Sequence, residues 1–116
     1  MSGLIALNPA SGTLEPSGPG PETERILSNV SLALLQWRLT FDDLLIARIF
    51  TTLMDLFADI NASWEACFKA VKRPPARTSV GVVALPINAS VEIEFCFCRE
   101  VALSCQTSIL RARSRE

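Results

Sequence analysis

The sequence contains no histidine and no tyrosine. That removes Ser-His-Asp triads, Cys-His dyads, histidine-ligated metals and tyrosine general acids together. Any chemistry is left to Arg, Lys, Asp, Glu, Ser, Thr, Cys, the backbone and water. An excess of positive charge is missing as well: eleven Lys and Arg stand against twelve Asp and Glu, a net charge of −1. A nucleic-acid partner is therefore not expected, because the field that gathers phosphate is absent. Long apolar runs are also wanting. The most apolar stretch, Leu44 to Phe57, is broken by Arg48 and Asp55, short of the ~20 uninterrupted residues of a bilayer span. No membrane association is expected. The opening Met-Ser-Gly-Leu-Ile lacks the basic segment and apolar core of a secretory signal, so the N-x-S sequons at Asn29, Asn61 and Asn88 are not expected to carry glycans. The four cysteines, Cys67, Cys96, Cys98 and Cys105, have no C-x-x-C spacing and are too sparse for a disulfide scaffold. Reduced thiols in a cytoplasmic or organellar compartment follow as the expectation.

What is present is enough for one apolar core. Of 116 residues, 49% are hydrophobic and 20% charged, a balance unlike that of a disordered chain and of a length that suits one domain. Asn8 to Pro21 holds four of the seven prolines and three of the five glycines, which makes it turn and loop. From Glu22 the apolar residues Ile26, Val30, Ala33, Leu34 and Trp37 recur at three and four, predicting a helix over Glu22–Gln36. Thr40 followed by Asp43 resembles a cap with an acid one methylene short, and predicts a short turn. Leu44–Thr52 reads as a largely buried strand. A second helix is expected over Asp55–Lys69, with Leu56, Ile60, Trp64 or Ser63, and Cys67 or Phe68 facing inward. Trp37, Trp64 and Phe68 read as core residues.

Beyond the basic, proline-broken Lys69–Ala76, strands are expected over Thr78–Val83 and Val91–Cys98, joined as a closing hairpin by Ala84–Ser90. Glu92 and Glu94 alternate with Val91, Ile93 and Phe95, so both carboxylates project from one strand face. The pattern predicts an α+β fold with helices on one face of a mixed sheet. The other face, mixing apolar side chains with glutamates, calls for a partner subunit. Two units result: a domain over residues 1–98 and an unassigned tail over 99–116. In the tail Val101, Cys105 and Ile109 allow a short amphipathic helix.

The segment from Pro74 to Glu94, with its Pro-Ala-Arg entry at 75–77, Ala-Leu-Pro at 84–86 and Val-Glu-Ile-Glu at 91–94, resembles the signature of the RidA (YjgF) family of enamine/imine deaminases. Asn29–Leu35, the Leu-Thr-Phe-Asp-Asp-Leu of 39–44 and Met54–Ala62 are similar to that family's first helix, connecting turn and second helix. Ser2–Ile5 and Asn8–Leu14 resemble its second strand and the turn that follows.

The resemblance implies a chorismate-mutase-like α+β fold, here lacking the usual N-terminal strand and its Gly-Pro-Tyr element. It implies a homotrimer with clefts between subunits. It further implies cofactor-independent and metal-independent hydrolysis of 2-imino and 2-enamino acids to 2-keto acids and ammonia, as in a 2-iminobutanoate/2-iminopropanoate deaminase. Carried over residue by residue, Arg77 is the expected anchor for the substrate carboxylate, through the planar fork that lysine lacks. Glu92 is the expected group that holds or activates water. Ser79, Asn61 and Gly3 are expected to line the site. Plainer roles stay open beside these: Glu92 as a polar strand face or an intersubunit ion-pair partner, Asn61 bonded to backbone within its own helix. Leu4, Trp37-Arg38 and Leu53 depart from the family pattern of glutamine, an Ala-Gly pair and aspartate. Those departures keep open a non-catalytic, regulatory or holdase-like binding protein. RNA cleavage, also associated with the family, is disfavoured by the charge and the missing histidine.

Overall fold

A computed structural model of the chain describes residues 3–14 and 17–98; the tail over 99–116 lies outside them. Helix α1 spans Pro19–Trp37, three residues earlier than the hydrophobic periodicity suggests. Pro19 occupies a position where a helix needs no backbone donor. Glu22 secures the start, its carboxylate accepting from the Gly18 N–H at 3.1 Å. Ile26, Leu27, Val30 and Leu34 form the buried stripe. Arg38, in the left-handed region at φ 54°, ends the helix.

A 3₁₀ turn over Phe41–Asp43 follows. Here the short acid suffices: the Thr40 N–H donates to Asp43 Oδ2 at 2.8 Å, and Thr40 Oγ1 accepts from Asp42 at 3.2 Å. Strand β1 is Leu44–Thr51. A second 3₁₀ turn, Met54–Leu56, leads into helix α2, Phe57–Phe68. Ile60, Trp64 and Phe68 are its buried residues, while Leu56, expected inside, is exposed within the turn. Trp37 is likewise 54% exposed rather than core. The remaining strands are β2, Ala76–Gly81, and β3, Val91–Phe97.

The sheet order is β2-β1-β3. β1 runs parallel to β2 and antiparallel to β3, so the sheet is mixed, as expected. The expected hairpin between the last two strands is not formed, because β1 lies between them. A crossover helix is what brings two consecutive strands into parallel register, and α2 supplies it between β1 and β2. Beyond β3, Leu4 exchanges two backbone hydrogen bonds with Ile93, at 2.8 and 2.9 Å. Buried Ala47, Ile49, Val91, Ile93 and Phe95 point from the sheet into one core with Ile26, Val30, Ile60 and Trp64 of the helices.

A buried polar tie closes the structure near the start of β3. Glu22 Oε1 accepts from the Ser90 N–H at 3.0 Å, and Thr51 Oγ1 donates to the Ser90 carbonyl at 2.7 Å. These bonds satisfy groups whose burial without partners would be costly. Of the described cysteines, Cys67 and Cys96 are free thiols and Cys98 is disulfide-bonded, so the expectation of reduced thiols fails at Cys98. Burial pushes the Cys67 thiol above its ordinary pKa, which keeps it protonated and unreactive near neutrality. Among the described residues, no helix is long and apolar enough to cross a membrane.

Candidate functional site

Register decides which of the expected residues can meet. Arg77 pairs with Ala47 and Ser79 with Ile49, both buried partners, so Arg77 and Ser79 project towards the helices. α2, lying over β2 as the crossover, offers them one stripe: Phe57, Asn61 and Trp64 recur at four and three. The Arg77 Cζ lies 5.4 Å from the ring centroid of Phe57 and 5.4 Å from that of Trp64. A guanidinium over aromatic faces is attracted by their quadrupoles without using its N–H donors. No carboxylate pairs with Arg77 among the described residues. Its fork, exposed at the sheet edge, is therefore able to accept an incoming anion.

Asn61 lies between the two rings on the α2 stripe. Its Nδ2 donates to Glu65 Oε1 at 2.9 Å, a bond within the helix but to a side chain rather than to the backbone. Ser79 is half-buried, two residues beyond Arg77 on the same strand face.

Glu92 is elsewhere. It alternates with buried Val91 and Ile93 and pairs with Phe50, which puts it on the sheet face away from the helices. Gly3 joins it there: a Cβ at Gly3 would collide with the Glu92 carboxylate, so a larger residue would have to displace that side chain from its position. The Glu92 carboxylate is half-buried and has no ion pair or hydrogen bond among the described residues. Its neighbour Glu94 does, facing Arg48 Nη1 at 3.6 Å, with both side chains well exposed.

Arg77 and Glu92 thus sit on opposite faces of the sheet. They are on strands either side of β1, and their β1 partners, Ala47 and Phe50, are three residues apart. At ~4.8 Å per strand and ~3.3 Å per residue the two α-carbons are roughly 14 Å apart. One protomer brings together Arg77, Ser79 and Asn61, and separately Gly3 and Glu92, but does not bring the two sets to one small substrate.

Phe57 is the contact without a signal in the sequence, while Trp64 is buried as expected and meets Arg77 as well. Their spacing with Asn61 was visible, but the parallel placement of β2 under α2 was not.

The family model described as Endoribonuclease L-PSP matches residues 1–97. A RutC family protein of Aquifex aeolicus is 37% identical over 94 residues, covering 81% of this chain and 74% of its own. A Bos taurus protein named 2-iminobutanoate/2-iminopropanoate deaminase is 31% identical over 94 residues, covering 81% of this chain and 67% of its own. The crystal structure of E. coli TdcF with bound serine matches with a TM-score of 0.77 at 28% identity, over 85% of this chain and 78% of that one.

Proposed function

The chain belongs to the Endoribonuclease L-PSP family, which is the YjgF/RidA family, and from that premise we propose that it hydrolyses 2-imino and 2-enamino acids to 2-keto acids and ammonia. The observation that carries the reading is Arg77: a guanidinium held by ring faces, with no carboxylate partner among the described residues, at an open sheet edge. The relatives named as imine deaminases, and the bound amino acid named for TdcF, support a small carboxylate-bearing substrate.

An imino acid carries an electrophilic carbon beside its carboxylate, so the catalyst has to anchor the anion, place a water and move protons. Arg77 binds the carboxylate through two parallel N–H bonds. An enamine takes a proton at its β-carbon to become the imine. Water adds to the C=N carbon, giving one proton to the carboxylate of Glu92, which passes it to the nitrogen and is ionised again. The hydroxyl of the tetrahedral adduct then gives up its proton, which reaches the amine by the same carboxylate as the C–N bond breaks, so that ammonia leaves, the 2-keto acid remains and Glu92 is regenerated. Ser79 and Asn61 line the space beside Arg77.

Since Glu92 cannot reach the Arg77 of its own chain, the working site takes Arg77 from one protomer and Glu92, with Gly3, from a neighbour. A closed ring of three copies supplies one such site at each junction, in keeping with the homotrimer implied by the resemblance. The open sheet face, with Glu92, Glu94, Arg48, Phe50 and Val80, becomes the subunit contact. The compartment proposed is cytoplasmic or organellar.

The same separation favours a second reading, in which the chain binds keto or imino acids at Arg77 without turnover. A coupled assay distinguishes the two. Adding the purified chain to a dehydratase that generates 2-iminobutanoate accelerates ammonia release if the deaminase reading holds. Tight keto-acid binding with no acceleration would establish the binding protein instead, and salt-sensitive RNA binding would be needed to restore a nucleic-acid role.

A further inference from the structure

An arginine on an edge strand is ordinarily a mobile, solvated charge. Proteins often fix such a group with a carboxylate, but that partner would occupy the donors a substrate carboxylate needs. Arg77 has the other solution. Phe57 and Trp64 are seven residues apart on α2, so their side chains are separated by roughly 10 Å along the helix axis. Both rings nevertheless reach the same group, each centroid lying 5.4 Å from the Arg77 Cζ.

Trp64 is itself tied to the core by its contact with Phe68. It is 6% exposed and stacked on Phe68 at 4.3 Å with an interplanar angle of 19°. Phe68 in turn meets Phe41 edge-on at 5.0 Å. A row of packed aromatics thus runs from the core to the Arg77 guanidinium.

We propose that Phe57 and Trp64 are positioning residues for substrate binding: their ring faces fix the Arg77 guanidinium at the edge of β2 while leaving its N–H donors for a 2-keto or 2-imino acid carboxylate. The proposal rests on the reading of Arg77 as the carboxylate anchor. Its energetic content is pre-organisation, because a fork already in place loses less freedom when the anion arrives. The effect therefore falls on affinity, with little on the chemical step.

The test is the affinity of the full chain for 2-oxobutanoate by calorimetry, together with KM and kcat for the imine in the coupled assay. Trp64→Leu and Phe57→Leu are each expected to weaken 2-oxobutanoate binding by about tenfold and to raise KM in step, with kcat within about twofold of the parent protein. Trp64→Phe, which restores a ring face, is expected to bind within about threefold of it. Leu34→Ala, a core truncation on α1, lowers the thermal midpoint without changing affinity, which separates positioning from general destabilisation. If Trp64→Leu does not fold, half-buried Phe57 decides alone. Unchanged affinity in Arg77→Ala would overturn the anchor reading and this proposal with it. Loss of binding in Arg77→Ala, with Phe57→Leu folded and binding as the parent does, would overturn the positioning role and leave the anchor reading intact.

Discussion

The two faces of the sheet are finished to different degrees. On the helix side, α1 and α2 bury Ala47, Ile49, Val91, Ile93 and Phe95, and Glu22 and Thr51 satisfy the backbone of Ser90. The other face carries half-buried Glu92 and Phe50, exposed Val80, and an exposed Arg48–Glu94 pair. The first face can be completed by one chain, and it holds the anion-binding half of the candidate site. The second holds the carboxylate half and, among the described residues, no cover of its own. A surface that mixes apolar side chains with a carboxylate lacking a partner is poorly suited to water and well suited to a second protein surface. On the proposed reading, this division gives binding and proton transfer to different parts of the molecule, and assembly is what would join them.

The sharpest way to break this comparison is to remove the anchor. Losing one partner of a desolvated charge pair costs ~3–5 kcal/mol, about two to four orders of magnitude. Arg77→Ala is therefore expected to lower kcat/KM for the imine by about that factor; keto-acid release at the parent rate from this variant would contradict the assignment. Next is the proton acceptor. Glu92→Gln keeps the shape beside Gly3 and removes the base, so kcat is expected to fall by about two orders of magnitude while 2-oxobutanoate still binds. A variant that lost binding and kept kcat would reverse the two roles.

The smallest effect concerns the open face itself. The Arg48–Glu94 pair is long and solvated, and Arg48→Ala is expected to change the stability of the fold by less than about 1 kcal/mol in urea unfolding. A larger loss, growing with protein concentration, would show that this pair belongs to the assembled interface more than to the protomer.

Much of the fold was legible along the chain because it depends on local periodicity. Ile26, Val30 and Leu34 announce α1, and the alternation of Val91 to Phe95 announces β3. Glu92 on the outward face followed from that alternation alone. What escaped depends on tertiary placement. The hairpin expected between the last two strands reads the short Ala84–Ser90 connection as local pairing, whereas β1 had already taken the position between them. Trp37 fits the helical period yet is exposed, since periodicity marks a face of the helix and not how far along it the cover extends. The Thr40–Asp43 cap formed despite the shorter acid, since a 3₁₀ turn brings the carboxylate closer than an α-turn does. For the candidate site, motif likeness picked out Arg77, Ser79, Asn61, Gly3 and Glu92 together. Their distribution over two faces depends on strand order, which no short motif encodes. The contact of Arg77 with Phe57 and Trp64 likewise required knowing that β2 lies beneath α2.

The most direct test of the central claim is complementation between two inactive chains. Arg77→Ala retains Glu92, and Glu92→Gln retains Arg77. If each site draws one residue from either side of a subunit junction, co-assembled equal amounts restore about a quarter of the parent activity per site in a randomly mixed closed ring. Activity no greater than that of the two variants measured apart, from rings shown by native mass spectrometry to contain both chains, would contradict a site shared between protomers.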